Sequence, residues 1–341
     1  MKRLSLIWLC VTAALCVSAV TPVPDLGNPR MVVLANNLQN YYYNYDESSR
    51  PSYNTDEGRA QKTHRIMEMM LASNADIFAF CEVEAKPVVL QQLVDSLNAT
   101  LGYEAYATVY DGINIVSDSY DNAIKSGFVY RMATVSPYGS NYAATNFTYY
   151  KNVMRIQAWT EKATGERFTL SMNHFKAKSD EASVAKRVDN ANWLMTGLAT
   201  SSKVKDPDIL LMGDLNCEMD EEAISVILNK GFTEQLLRFD EEAYSYVYYG
   251  DYELIDHAFA NSTMAAQITG AAVWHTNTAV SYYNRYSDHD AVLVGLSLGK
   301  GTGLEETDSR QPTAGCQKQI RHGQLIIIRG AQAYTITGQR L

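Results

Sequence analysis

Ile209-Leu-Leu-Met212-Gly213-Asp214-Leu215-Asn216 is an apolar run of strand length that stops in a glycine, a carboxylate and a carboxamide. Its first four residues read as a buried strand. Such a strand has no packing reason to end in an acid and an amide. The pattern recurs. Val32-Val-Leu-Ala35 runs into Asn37 and Asn40, Ile77-Phe-Ala-Phe80 into Glu82 and Glu84, and Phe168-Thr-Leu-Ser-Met172 into Asn173, His174 and Lys176. Leu254-Ile255 leads to Asp256 and His257, and Ser287-Asp288-His289-Asp290 precedes the closing strand, Ala291 to Leu298. A single strand-terminal Asp is commonly a helix cap or turn former. Six groups combining acids, amides and histidines point instead to a ligand site where strand ends converge on one edge of packed sheets. Hard oxygen ligands suit Mg²⁺, Mn²⁺ or Ca²⁺. Histidine beside such an ion can act as a general base or donate to a developing charge.

Around these strands the spacing predicts helices over residues 57–72, 178–198 and 223–228, and an amphipathic one carrying Leu90, Leu93, Val94 and Leu97. Further strands are expected at 128–130, 153–159, 254–259 and 268–274. Strands outnumber helices, and many are adjacent in sequence. An α/β fold of two packed sheets with outer helices accounts for this better than one doubly wound sheet.

The net charge of −9 excludes a binder that relies on a broad basic surface, because affinity for nucleic acid comes from neutralising phosphates. An enzyme that holds phosphate through metal ions and a few cations escapes that exclusion, since the metal inverts the local charge logic. No stretch after residue 20 is apolar for the ~20 residues that a membrane span needs. Residues 1–19 read as a secretory signal: Lys2 and Arg3, an apolar stretch from Leu4 to Val17, then Val17-Ser18-Ala19. A secreted, periplasmic or surface location and a monomeric state are the expectation. Of five cysteines, Cys10 and Cys16 would leave with that segment, and Cys81, Cys217 and Cys316 make no disulfide framework. The main domain is expected over residues 28–298 and a linker over 299–313. Residues 314–341 read as a short β tail with strand-like runs at Gly323 to Arg329 and Ala333 to Thr337, resembling the C-terminal segments of exported bacterial proteins.

In order, the motif segments resemble the endonuclease/exonuclease/phosphatase family, whose members include pancreatic deoxyribonuclease, abasic-site endonucleases and bacterial sphingomyelinases. The nearest likeness is to bacterial extracellular nucleases. The segments that carry it are Asn37-Leu-Gln-Asn40-Tyr-Tyr42, Asp76 to Glu84, Asp121 to Arg131, Asn173 to Lys178, Gly213 to Asn216, Ser245 to Tyr248 with Leu254 to His257, and Ser287-Asp-His289. They span nearly the whole of residues 30–298. Seven short motifs in register are specific where one alone is weak. The resemblance implies a four-layer α/β/β/α sandwich of two mixed sheets flanked by helices. It implies Glu82 as central metal ligand, with Asn37 and Asp288 near the same ion. His289 would be the catalytic histidine, oriented by Asp256. Asp214 and Asn216 would position water and phosphate, and His174 would contact the phosphoryl oxygens. Substrate contacts are expected from Asn40, Asn173, Lys176, Lys125 and Tyr110. Cys81 departs from the family's usual glutamine beside the key carboxylate. Structural roles are expected for His257 and Glu84.

The chemistry expected is in-line attack of water on a phosphodiester, with Mg²⁺ (or Mn²⁺ or Ca²⁺) and His174 offsetting charge on the non-bridging oxygens. Nucleic acid is the first substrate expected, since tyrosines at 41–43, 45, 53, 106, 110 and 120 offer faces for stacking on bases. A phosphatase or sphingomyelinase-like hydrolase of phospholipids or sugar phosphates stays open, as does a binding module that has lost catalysis.

Overall fold

The computed structural model describes residues 21–41, 56–85, 87–109, 124–143, 154–201, 204 and 206–299, together with strands at 316–321, 324–329 and 332–335. The expected signal segment, Tyr110 and most of the linker lie outside the described residues. Two compact units divide at Gly299 and Lys300.

In the first unit the chain begins β1 (Met31–Tyr41), α1 (Asp56–Ser73), β2 (Ile77–Glu84), α2 (Pro87–Leu101), β3 (Tyr106–Thr108) and β4 (Ile124–Arg131). It continues through β5 (Val135–Ala143), β6 (Arg155–Glu161), β7 (Arg167–His174), α3 (Glu181–Thr200), β8 (Ile209–Asp214), α4 (Glu222–Leu228), β9 (Phe232–Glu234) and α5 (Leu236–Phe239). It closes with β10 (Tyr246–Tyr248), β11 (Asp251–Glu253), β12 (Asp256–Asn261), α6 (Ser262–Ala265), β13 (Ile268–Trp274) and β14 (Ala291–Leu296). Two six-stranded mixed sheets result, ordered β13-β14-β1-β2-β4-β3 and β5-β6-β7-β8-β12-β9, with β10 and β11 as a separate hairpin. The expected helices over 57–72 and 178–198 are α1 and α3. β5, with Pro, Gly and Ser in its interior, and the three-residue strands β9, β10 and β11 carry no long apolar run or periodic signal.

Period-two alternation makes the layers. In β1, Met31, Val33 and Ala35 face the core between the sheets, while Leu34 turns outward under α1 and α2. In β2, Ile77, Ala79 and Cys81 face inward, and Phe78 and Phe80 pack against Ile66, Met70 and Leu93. The second sheet does the same: Leu210 and Met212 point inward, and Leu211 packs under α3 and α4 with Leu194 and Ile224. Each central strand is buried on both faces, which is why it reads as a continuous apolar run. The expected four-layer α/β/β/α sandwich is the observed one.

The second unit is a three-stranded antiparallel sheet of β15 (Cys316–Arg321), β16 (Gln324–Arg329) and β17 (Gln332–Thr335). The two runs seen in sequence account for β16 and β17. β15, with its mixed Gln-Lys-Gln interior, was not foreseen.

Among the described residues two neighbouring strand pairs in the sandwich sheets are parallel, β1 with β2 and β7 with β8. At the β7–β8 pair Gly213 sits opposite Asn173 with φ +126°, and a Cβ there would lie 2.1 Å from the Asn173 carbonyl oxygen. No side chain fits between two backbones that close. Gly213→Ala is therefore expected to destabilise the protein by at least ~2 kcal/mol in denaturant unfolding. A change within about 0.5 kcal/mol would show that the strands separate freely.

Candidate active site

Both parallel pairs end at the same edge, so Asn37 and Glu82 from one sheet meet His174 and Asp214 from the other. The ends of β1 and β2 are irregular: register shifts occur between Asn37 and Tyr41 and between Phe80 and Val83. Gln39, Asn40 and Glu82 adopt φ of 47°, 54° and 53°. Left-handed backbone at non-glycine residues costs on the order of 1–2 kcal/mol each. Its product here is orientation. The Asn40 N–H donates to Glu82 Oε2 at 2.8 Å. The Asn37 amide nitrogen donates to Glu82 Oε1 at 3.1 Å and to Asp214 Oδ2 at 2.9 Å.

Asp214 is buried, and its other oxygen accepts the Asn216 N–H at 2.9 Å. Asn216 (φ 52°) donates its side-chain amide to the Phe175 carbonyl. His174 Nε2 lies 3.6 Å from Glu82 Oε1 and 3.7 Å from Asp214 Oδ2. These separations exceed hydrogen-bond length, yet donor atoms of Glu82, His174 and Asp214 all lie within 4.8 Å of one another. Two carboxylate oxygens and an imidazole so spaced fit one divalent cation. Asn37 turns its nitrogen, not its oxygen, to the carboxylates, while Oδ1 accepts the Gln39 N–H at 2.8 Å.

Beside this cluster His289 Nδ1 meets Asp256 Oδ2 at 2.7 Å. Ser245 holds that carboxylate: its hydroxyl donates to Oδ2 at 2.8 Å and accepts the Asp256 N–H at 2.9 Å. The Tyr246 ring lies against the imidazole, with centroids 4.7 Å apart. Burial alone would depress the His289 pKa. The charges of Asp256, Asp214 and Asp288 and the hydrogen bond outweigh it and hold the imidazole well above its ordinary value. Its free Nε2 faces Asp214 Oδ2 at 3.9 Å and Asp288 Oδ1 at 4.0 Å.

The remaining sequence candidates are placed unevenly. Asn173 is fully buried, and its carboxamide is used within the sheet, by the Ser171 hydroxyl and the Met212 carbonyl. Lys125 is buried on β4 opposite Val83, and Lys176 is half-buried with its N–H donated to Asn190. Cys81 is a buried free thiol whose pKa burial and the nearby Asp214 and Glu82 charges raise further. His257 is buried and bonds the Cys217 carbonyl at 2.9 Å.

Several residues to which the sequence assigned no role hold the site together. The Ser287 hydroxyl donates to the Asn37 carbonyl at 2.6 Å and accepts the His289 N–H. The Asn277 amide donates to the His289 carbonyl at 2.7 Å and accepts the Tyr286 N–H. Asp290 anchors the same loop through the backbone of Asn277 and Thr278 and through His275 Nδ1 at 2.7 Å. Ser245 and Ser287 lay inside quoted motifs. Asn277 had no signal, since its partners are distant along the chain or irregular backbone.

Two cavities lie near the cluster, one lined by its own residues and the other linked to it through Gln39 and Lys62. One, of about 540 Å³, is lined by Asp214, His289, Tyr246 and Tyr248 and by the acids Glu218 and Glu253. Arg187 also reaches it, with its guanidinium bonded to Glu221 at 2.7–2.9 Å. The second, of about 340 Å³, lies over Gln39 and Tyr286 and is lined by Lys62, Arg65 and Arg285. Lys62 is buried with its ammonium on the Gln39 carbonyl at 2.7 Å, and burial lowers its pKa to about 7 against the pull of Asp288 and Glu82.

A sandwich of this topology, with acids and imidazoles gathered at its strand ends, defines a class of metal-dependent phosphoester hydrolases. The family model for the endonuclease/exonuclease/phosphatase family matches residues 37–289, and the chain belongs to that family. Solved structures share the fold at low identity. A Bacteroides thetaiotaomicron endonuclease/exonuclease/phosphatase family protein is 17% identical with a TM-score of 0.57, over 79% of this chain and 98% of its own. A B. thetaiotaomicron mannosyl-6-phosphatase is 17% identical (TM-score 0.56), over 78% of this chain and 99% of its own. The human Nocturnin catalytic domain is 16% identical (TM-score 0.56), over 80% and 95%. No curated protein sequence matches significantly. Among the described residues no helix is long and apolar enough to cross a membrane.

The histidine–carboxylate pair yields a direct test. In metal-free protein, Asp256→Asn is expected to lower the His289 pKa markedly, followed by NMR titration of the ring protons. An unchanged value would mean that Asp256 does not set the charge state of His289.

Proposed function

We propose that this enzyme is an exported phosphodiesterase whose substrate is a nucleic acid strand. The observation that carries the reading is a cavity that opens onto the cluster together with a second one linked to it through Gln39 and Lys62, which between them offer room for groups on both ester oxygens of a phosphate. A phosphomonoester needs only one. Exposed tyrosine rings accompany both cavities, Tyr248 on one and Tyr282 and Tyr283 on the other. They offer sequence-tolerant stacking faces for unpaired bases. D. rerio TDP2, of the same fold at 15% identity (TM-score 0.54), has been solved with a single-strand DNA product. Export rests on residues 1–19 of the sequence.

In this reading Glu82 and Asp214 hold a divalent cation, for which Mg²⁺ is the first choice. Bound there, it would neutralise charge on the non-bridging oxygens and polarise phosphorus. Asn37 fixes the two carboxylates relative to each other across the sheets. His174 donates to a phosphoryl oxygen, and Asp214 with Asn216 orients the attacking water. Asp256 fixes the tautomer and ring plane of His289, whose Nε2 holds or moves a proton at the reacting phosphate. The displacement is a single in-line step without a covalent enzyme intermediate.

A second reading is favoured by the carboxylates of the larger cavity. Glu218 and Glu253 would accept hydrogen bonds from sugar hydroxyls and repel a further phosphate. A sugar phosphate would suit that cavity, and the mannosyl-6-phosphatase shares the fold.

Plasmid DNA, a single-stranded oligonucleotide, RNA, sphingomyelin and a sugar-phosphate panel, each tested with Mg²⁺, Mn²⁺ or Ca²⁺, separate these readings. Metal-dependent strand cleavage is expected, abolished by EDTA and reduced about 10²–10⁴-fold in His289→Ala. Phosphate release from sugars without strand cleavage would replace the nuclease reading with the second one. A substrate chiral at phosphorus is expected to invert; retention would rule out the single-step displacement.

A further inference from the structure

The two cavities differ in charge. The larger one sets Glu218 and Glu253 beside Glu82 and Asp214, while its cations are Lys178 and an Arg187 already bonded to Glu221, so a second phosphate there would be repelled. In the smaller one Lys62, Arg65 and Arg285 face one acid among the described residues, Glu57. Glu57 is turned toward the side-chain amide of Gln61, its neighbour one helical turn on. Arg65 spends one N–H on the Arg285 carbonyl at 3.3 Å, and the Arg285 guanidinium lies 4.7 Å from the centroid of the Tyr282 ring. Among the described residues neither arginine has a carboxylate partner. In a chain of net charge −9, two half-buried arginines without counter-ions around a cavity are unusual. Arginine's planar fork suits phosphate oxygens, and such a pair is held in place before any ligand arrives.

Aromatic surface completes the cavity. Tyr283 is 83% exposed and stands edge-on to Tyr282, with ring centroids 5.7 Å apart. Its face is open to a planar group.

We infer that the cavity between α1 and the 282–286 segment, lined by Arg65, Arg285 and Tyr283, is a binding subsite for the adjoining nucleotide of the substrate, the arginines taking its phosphate and Tyr283 its base. The inference rests on the nuclease reading and deepens it, because it states on which side of the cluster the strand's next phosphate lies. Connection to the cluster is short. Lys62 bonds the Gln39 carbonyl, the Gln39 N–H bonds Asn37, and Tyr286 is two residues before Asp288. The cavity volume of about 340 Å³ is within the small-ligand range of about 300–1,000 Å³.

The test is calorimetric titration of the full mature protein with thymidine 5′-monophosphate in EDTA, with thymidine as the uncharged control. Saturable binding is expected, at least tenfold weaker for thymidine and at least tenfold weaker in Arg65→Gln/Arg285→Gln. Arg65→Lys/Arg285→Lys should recover part of the loss, and matching thermal unfolding of the variants would show that they fold. Absence of binding to the wild type, or equal affinity in wild type and the Gln variant, overturns the inference. Oligonucleotide cleavage is measured on the same proteins. Binding that behaves as expected without any cleavage leaves the subsite standing and rejects the nuclease reading. Cleavage that is unaffected in the Gln variant, together with unaltered binding, rejects the subsite and keeps the nuclease.

Discussion

One amide joins the two halves of the site. The Asn37 nitrogen donates to Glu82 of one sheet and to Asp214 of the other, and so fixes how far apart the two sheets hold their carboxylates. Like charges at that separation repel strongly in a poorly solvated site. The arrangement therefore depends on the hydrogen bonds each carboxylate accepts, from the Asn40 N–H on Glu82 and the Asn216 N–H on Asp214, and on the imidazole of His289 nearby, whose pKa the surrounding carboxylates raise. A divalent cation is the natural completion of such a set.

Maintaining that geometry has a structural cost that the rest of the sandwich offsets. Glu82, Gln39, Asn40 and Asn216 all hold left-handed backbone, and the β1 and β2 ladders lose register where they reach the site. Strain of this kind persists only where surrounding packing over-determines it. Below the site the same strands are fully regular, with Val33, Ala35, Ile77 and Ala79 closed against Leu210, Met212, Val292 and Val294. β1 and β2 pair regularly where they are apolar and lose register where they become polar.

The loop before β14 shows how the placement of His289 is built from irregular backbone. His289 is not delivered by a ladder. Asn277 holds its carbonyl, Ser287 its N–H, and Asp256, fixed by Ser245, its ring. Asp290 then ties the returning 275–278 segment to the first residues of the strand. The same loop carries the tyrosines and Arg285 of the cationic cavity, so the histidine and that surface share one scaffold.

Much of this was legible in the chain itself. Apolar runs ending in Asn37, Glu82, His174 and Asp214 announced both the layered fold and the edge where polar groups meet, because a strand buried on both faces leaves its only unexplained residues at its end. Composition likewise excluded a basic binding surface, since charge is a sum over residues. Contacts between distant segments and the local shape of the backbone were not legible. Nothing in the sequence shows that Asn173 spends its amide inside the sheet, that Gly213 must lack a side chain because a neighbouring carbonyl fills the space, or that Asn277 clamps His289. Nor does it show that a −9 chain separates its charge into an acidic and a basic cavity. Periodicity records which face of a strand is buried, a local property of consecutive residues. Which groups then share a cavity is set by strand register and sheet packing, and these exist only once the whole chain has folded.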